Sequence, residues 1–161
     1  PRMPANRDWQ VNANIEIEAE TLIRAPRPLV FEIAADVARW PDIIGGIDRI
    51  VIETPGPIGA GTRFRETRRM YGREATETMT FASYEPPQQF TLIAENHGAR
   101  YRAVHLFRDA KAGTLLRVQF TSEPVTLVAR IFSLLAVLMK GHVRSQIAAD
   151  LQDLKRAAES R

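Results

Sequence analysis

The sequence predicts an α+β domain in which a seven-stranded, strongly curved antiparallel sheet wraps around a long C-terminal helix. The middle of the chain alternates apolar and polar residues between tight turns, which is typical of antiparallel strands. Two prolines, Pro26 and Pro28, end the first such segment and precede a short apolar pattern at helical spacing. After Pro124 the apolar residues keep helical spacing, and this last helix is long enough to cover one face of the sheet.

The composition is that of a single globular domain. The 161 residues are 45% hydrophobic and 25% charged, enough for one core and too few for two ordinary domains. We therefore expect one domain over residues 1–161, with an ordered core at about 12–156 and flexible tails. The chain has no cysteine and its first residues lack the apolar core of a signal peptide, so we expect a cytoplasmic protein.

Several function classes find little support in the sequence. The net charge is only +3 and the arginines are interleaved with glutamates, so we expect no nucleic-acid partner. His97, His105 and His142 lack the spacing of a metal site, and we expect neither metal nor cofactor. The apolar run 125–139 is shorter than a membrane span, so no stable membrane insertion is expected. The sequence leaves the oligomeric state open.

The predicted elements follow from these patterns. The last helix keeps one apolar stripe, with a loosened turn at Gly141 and a polar tail that frays after Lys155. The stripe is expected to be buried, so that aspartate at Leu135 or Leu138 would unfold the domain. The predicted strands are 14–23, 47–53, 62–70, 73–84, 89–96, 100–108 and 114–122. The predicted helices are 29–37 and 127–154. Trp40-Pro41 is expected to end the first helix, and residues 42–47 are expected to form a short helical turn or a loop.

Short motifs spread along nearly the whole chain form one recognisable series. They are Ala25-Pro26, Val30-Phe31, Asp36-Val37, Trp40-Pro41, Gly59-Ala60-Gly61-Thr62, Gly72-Arg73, Tyr84-Glu85-Pro86-Pro87, Gly113-Thr114 and the closing segment Asp150 to Lys155. In this order they resemble the SRPBCC superfamily, the START-like or helix-grip group that includes polyketide cyclases and lipid-transport-like proteins. The resemblance implies a cavity between sheet and C-terminal helix that takes lipids, polyketides, quinones or other apolar molecules. It implies no single activity, because the group contains binders, transporters and enzymes.

A two-residue turn at Tyr71-Gly72 fixes the expected register of the neighbouring strands. It sets Arg69 against Glu74 and three further polar pairs on one face, which is therefore the outer face. The arginines at 63, 65, 68, 69 and 73 are thereby interpreted mostly as a solvated strand surface. The other face carries Phe64 opposite Met79 and Glu66 opposite Glu77, with Arg68 beyond them toward the turn.

Continuing this register across the sheet gives the candidate cavity lining. The small inward residues Ala75, Ala94 and Ala103 leave space for a cavity of roughly 300–1,000 Å³. The candidate ligand-binding residues are Phe64, Glu66, Glu77, Met79, Phe81, Leu92, Ala94, Asn96, Tyr101, Ala103, His105, Val118, Leu135, Leu138 and Met139. No catalytic residue is assigned.

The polar members of this set leave alternatives open. Glu66, Glu77, Asn96 and Tyr101 form one inward row, which either reaches water at the open end of the sheet or orients a ligand. The two carboxylates side by side should repel and raise the pKa of one of them, which could also supply an acid or base. His105 is either a hydrogen-bonded core histidine or a ligand contact.

Three functions remain. The first is a binding or carrier protein for an apolar small molecule. The second is an aromatase/cyclase-type enzyme, in which Glu66, Glu77, Tyr101 or His105 would handle protons for a poly-keto chain. The third is an interaction protein without a small ligand, with a protein or membrane partner.

Overall fold

The structure, a computed structural model, describes residues 15–96, 98–126 and 133–161, with the side chains of residues 133–137 outside that description. The predicted architecture is confirmed: a curved seven-stranded antiparallel sheet, a long C-terminal helix and short helices after the first strand. The elements are β1 (Ile15–Ile23), α1 (Arg27–Ala35), a 3₁₀ turn (Val37–Arg39), α2 (Trp40–Ile43), β2 (Ile47–Ile52), β3 (Arg63–Met70), β4 (Arg73–Glu85), β5 (Gln89–Asn96), β6 (Ala99–Ala110), β7 (Gly113–Pro124) and α3 (Ser133–Glu159).

The strand order of the sheet is β1-β7-β6-β5-β4-β3-β2. Each strand from β2 to β7 pairs with its neighbour in sequence, and β1 pairs with β7 at the far edge. Short turns between neighbours are sufficient for this arrangement, because antiparallel strands need no crossover.

The register of the β3–β4 hairpin is the predicted one. Tyr71 and Gly72 both have positive φ, 52° and 74°, as a tight two-residue hairpin turn requires. Glu66 therefore lies opposite Glu77, and Phe64 lies opposite Met79. Arg63, Arg65 and Arg69 form ion pairs with Glu53 or Asp48 on the solvated outer face.

Arg68 is the exception among these arginines, as its inward place in the predicted register indicates. It lies on the inner face of β3 and is 8% exposed, so it belongs to the interior rather than to the solvated arginine surface. A guanidinium group tolerates burial where carboxylates neutralise it, and two such partners contact Arg68 in this fold.

An aromatic core fills one end of the fold. Phe31 of α1 packs edge-on against Phe90 and Phe107, with ring centroids 5.8 and 5.1 Å apart. Trp40 of α2 packs in the same way against Phe64, at 5.9 Å. The two short helices therefore close this end of the curved sheet, and the other end remains for a cavity.

The first helix differs in its bounds from the prediction. It begins at Arg27, because Pro28 fits the first turn, and ends at Ala35. Trp40-Pro41 does not end this helix but begins α2. A proline is tolerated in the first turn of a helix, where its missing N–H has no partner in any case.

The long helix differs from the prediction at three points. It runs without interruption through Gly141, and it continues past Lys155 to Glu159 instead of fraying. The extension is stabilised because Ala158 is buried and the Arg24 backbone N–H donates to Glu159 Oε1 at 2.8 Å. Leu138 is 79% exposed, so the predicted buried stripe does not extend to it. The predicted start at residues 127–132 and the side chain of Leu135 lie outside the described residues.

Candidate functional site

A cavity of about 390 Å³ lies between the inner face of the sheet and α3. Its wall is mostly apolar, and α3 contributes Met139, Val143, Ile147 and Leu151 to it. The volume is in the range of ordinary small-molecule sites. The cavity exists because the aromatic core fills only the end of the fold next to α1 and α2.

The structure brings most of the predicted residues to the cavity wall. These are Glu66, Glu77, Met79, Leu92, Ala94, Tyr101, Ala103, His105, Val118 and Met139. Four others lie elsewhere. Phe64 and Phe81 face inward but are fully buried in the aromatic core, in contact with each other at 5.9 Å, and Leu138 points to solvent. Asn96 lies next to the wall, with its Nδ2 atom 3.5 Å from Glu77 Oε1.

A buried ionic cluster of Glu66, Arg68 and Asp150 forms one charged part of the wall. Arg68 Nε donates to Glu66 Oε1 at 2.9 Å. Its two terminal nitrogens donate to the Asp150 carboxylate at 3.2 and 2.9 Å, which is the bidentate geometry that favours arginine. The cluster joins β3 to α3 across the cavity.

Sequence reasoning missed this cluster. Asp150 lies three residues after Ile147 and four before Leu154, within the apolar stripe of α3. A carboxylate at such a position must be paired with a cation or exposed to water. In the structure the first of these two outcomes holds, and Arg68 on the inner face of the sheet is the partner.

The pKa values of the cluster show the competition between burial and pairing. Burial raises the pKa of Glu66, and the adjacent Arg68 offsets only part of this effect. Burial likewise raises the pKa of Asp150, against the hydrogen bonds from Arg68. Burial opposes the charge of Arg68, but the two carboxylates outweigh it and raise the pKa of the guanidinium further. The cluster is therefore held together by a permanently charged arginine.

Tyr101 and His105 add two titratable groups that are neutral near pH 7. Tyr101 stacks on Phe120 at 6.0 Å, and burial, followed by the charge of Glu77, raises its pKa. His105 stacks on Phe90 at 4.3 Å, and burial lowers its pKa to about 4, with the Ala103 backbone offsetting part of the shift. Its buried Nδ1 atom has no hydrogen-bond partner in the described part of the chain. Both residues line the cavity, and a phenol and a neutral imidazole can each donate and accept a hydrogen bond.

Within residues 15–96, 98–126 and 133–161, no three histidine or acidic side chains are grouped as a metal ion would need. No helix of this part of the chain is long and apolar enough to cross a membrane.

Comparison with known families gives one match along nearly the whole chain. The family model described as "Polyketide cyclase / dehydrase and lipid transport" matches residues 14–159. A search of curated protein sequences gives no match.

Solved structures of similar fold include several aromatase/cyclases. The di-domain ARO/CYC StfQ of the steffimycin biosynthetic pathway superimposes with a TM-score of 0.77 at 16% identity, and the alignment covers 91% of this chain and 51% of StfQ. This chain therefore spans about half the length of that protein. TTHA0849 from Thermus thermophilus gives 0.76 at 18% identity, covering 91% and 98% of the two chains. The Zhui aromatase/cyclase from Streptomyces sp. R1128 gives 0.69 at 20% identity, covering 91% and 94%. At such identities the likeness shows the fold alone.

Proposed function

Because the chain belongs to the polyketide cyclase / dehydrase and lipid transport family, we propose that it is a binding or carrier protein for an apolar, oxygen-bearing small molecule. The observation that carries this proposal is the cavity of about 390 Å³, lined mainly by apolar side chains between the sheet and α3. Natural cores are packed without voids of this size, so an apolar space of this kind favours a ligand over a purely structural role.

The polar groups in the wall favour a ligand that carries hydroxyl or keto oxygens. Tyr101 and the neutral His105 supply hydrogen bonds from the β6 side, while the walls around them are apolar. A small number of polar groups in an apolar pocket fixes the orientation of a ligand more than it adds to the ligand's affinity. Arg68 is already bound by Glu66 and Asp150, so it supports the wall rather than reaching for the ligand.

Native mass spectrometry of freshly purified protein, together with titration of a neutral apolar fluorescent probe, tests this proposal. We expect a retained small molecule or, in stripped protein, saturable binding of about one probe per chain. No retained molecule and no saturable binding would contradict the proposal and favour a protein or membrane partner without a small ligand.

A second candidate, a cyclase-type enzyme, is favoured by a separate observation. Tyr101, His105 and Glu77 bring three titratable groups into one apolar cavity, and proton transfers to a folded poly-keto chain would need such groups. In an enzyme, Tyr101→Phe or His105→Phe would reduce turnover of a poly-keto substrate by about 100-fold or more while binding changes little. In a carrier, the wild-type protein would bind the same compound and return it unchanged.

A further inference from the structure

The charged side chains in the described cavity wall are unequal in number. They are Glu66, Arg68, Glu77 and Asp150, which is one cation against three carboxyl groups. With all four ionised the wall is net negative, and it remains net negative when one carboxyl group of the cluster holds a proton. A ligand in the cavity therefore meets a negative field from the wall.

The cation in this set is already paired with two carboxylates of the protein. The guanidinium donates from Nε to Glu66 and from both terminal nitrogens to Asp150. The loop before β2 covers it as well, since a Cβ atom on Gly46 would lie 3.1 Å from the Arg68 Nη1 atom. A negatively charged ligand group that approached the guanidinium would also approach the two protein carboxylates that already neutralise it.

Glu77 has no such compensation. It is half-buried in the wall and lies opposite Glu66 on the neighbouring strand. Its Oε1 atom accepts a hydrogen bond from the uncharged amide of Asn96, at 3.5 Å. Among the described residues no lysine or arginine forms an ion pair with Glu77, so its charge acts directly on whatever the cavity holds.

From these three observations we infer that the cavity selects apolar ligands without a negative charge, and that Glu77 is the residue that sets this selection. The inference rests on the proposed function and narrows its ligand class. Uncharged alcohols, ketones and phenols and positively charged alkylamines belong to the accepted class, and the carboxylates of fatty acids do not. The physical reason is that like charges repel more strongly in an apolar cavity than in water, and that each must also be desolvated.

A competition series with ligands of one chain length tests the inference. Decanol, decylamine and decanoate displace a neutral fluorescent probe from the wild-type protein at neutral pH, where decanoate is ionised and decylamine is protonated. We expect decanol and decylamine to bind at least about tenfold more tightly than decanoate, which corresponds to ~1.4 kcal/mol. Glu77→Gln should reduce the ratio of decanol affinity to decanoate affinity at least about threefold, because it removes the uncompensated charge.

The control is Glu74→Gln, which removes the same charge from the exposed outer face of β4. We expect Glu74→Gln to leave the ratio of decanol affinity to decanoate affinity unchanged. Equal affinity for the three ligands, or tighter binding of decanoate, by the wild-type protein would overturn the inference and leave the proposed function intact. If the affinity ratio is unchanged in Glu77→Gln, then Glu77 does not set the selection against negative charge. Binding of the probe and of none of the three ligands would also overturn the inference, whereas failure of the probe itself to bind would overturn the proposed function with it.

Discussion

Arg68 joins the sheet to α3 because two carboxylates hold its guanidinium in a nearly dry site. Its partners, Glu66 on β3 and Asp150 on α3, are both better solvated in the unfolded chain. A buried cluster of this kind adds little net stability compared with an apolar replacement, but removing one member leaves an uncompensated buried charge. The cluster therefore fixes the position of α3 over the cavity.

Replacing Arg68 with methionine tests how far the stability of the fold depends on the cation between the two buried carboxylates. Arg68→Met leaves Glu66 and Asp150 facing each other without a cation, and we expect a loss of ~3 kcal/mol in the free energy of unfolding at neutral pH. Urea unfolding measures it. Arg65→Met on the same strand is the control, because Arg65 is half-exposed, and it should cost less than ~0.5 kcal/mol. Equal costs for the two variants would contradict the role assigned to the cluster.

His105 should make the fold acid-sensitive. Its folded pKa of about 4 is below the ordinary 6.5, so between these values the unfolded chain binds a proton that the folded protein does not. The stabilisation is thus fully present above pH 6.5 and is lost as pH falls toward 4, by at most ~3 kcal/mol. The raised pKa values of Glu66 and Asp150 act in the opposite direction, because protonation relieves their burial.

His105→Phe tests this residue alone, since phenylalanine keeps the stack on Phe90 and cannot bind a proton. The effects of Glu66 and Asp150 are common to both proteins and cancel in the difference. We expect the free energy of unfolding of the variant to fall less steeply than that of wild type between pH 6.5 and 4. Parallel pH profiles of urea unfolding would refute the assignment.

The two halves of α3 differ in what their described side chains contact. The C-terminal half buries Leu151, Leu154 and Ala158. Its polar residues also bond to the rest of the fold: Asp153 Oδ2 accepts from the Gly45 backbone N–H at 2.9 Å. In the first half, the side chains described from Leu138 onward line the cavity or face solvent, and His142 stacks on the exposed Tyr71 with ring centroids 4.7 Å apart.

Aspartate substitutions in the two halves of α3 should differ in their effect on stability. Leu154→Asp buries an unpaired charge in the core, and we expect it to cost at least ~3 kcal/mol or to prevent folding. Leu138→Asp places the same charge at a position that is 79% exposed, and its effect should stay within ~0.5 kcal/mol. Thermal unfolding of both variants measures the difference. A strong loss of stability in Leu138→Asp would mean that this end of α3 packs more tightly than the structure shows.

At the scale of the whole molecule, local signals predicted the fold well. The Tyr71-Gly72 turn set the register of β3 and β4 because turn geometry depends on adjacent residues alone. Alternation then placed the inner faces of the other strands correctly. The fold class could be predicted because only the last predicted helix is long enough to cover one face of the sheet.

The parts that could not be predicted depend on contacts between distant segments. Phe64 and Glu66 share one face of β3, yet one lies in the aromatic core and the other in the cavity wall, because α1 and α2 cover only one end of the sheet. The pairing of Arg68 with Asp150 spans 82 residues. No local pattern states how α3 is rotated over the sheet, and that rotation decides that Asp150 points inward and Leu138 outward.

We propose that an apolar molecule occupies the space between the sheet and α3. Probe titration of Ala94→Phe tests this, because Ala94 lines the cavity and the larger ring would occupy its volume. Ala82→Phe is the matched control, since Ala82 is exposed on the neighbouring strand β4. We expect probe affinity to fall by about tenfold or more in Ala94→Phe and to stay unchanged in Ala82→Phe, with both variants folded. Saturable binding of equal affinity in the two variants would place the ligand outside the cavity and contradict the claim.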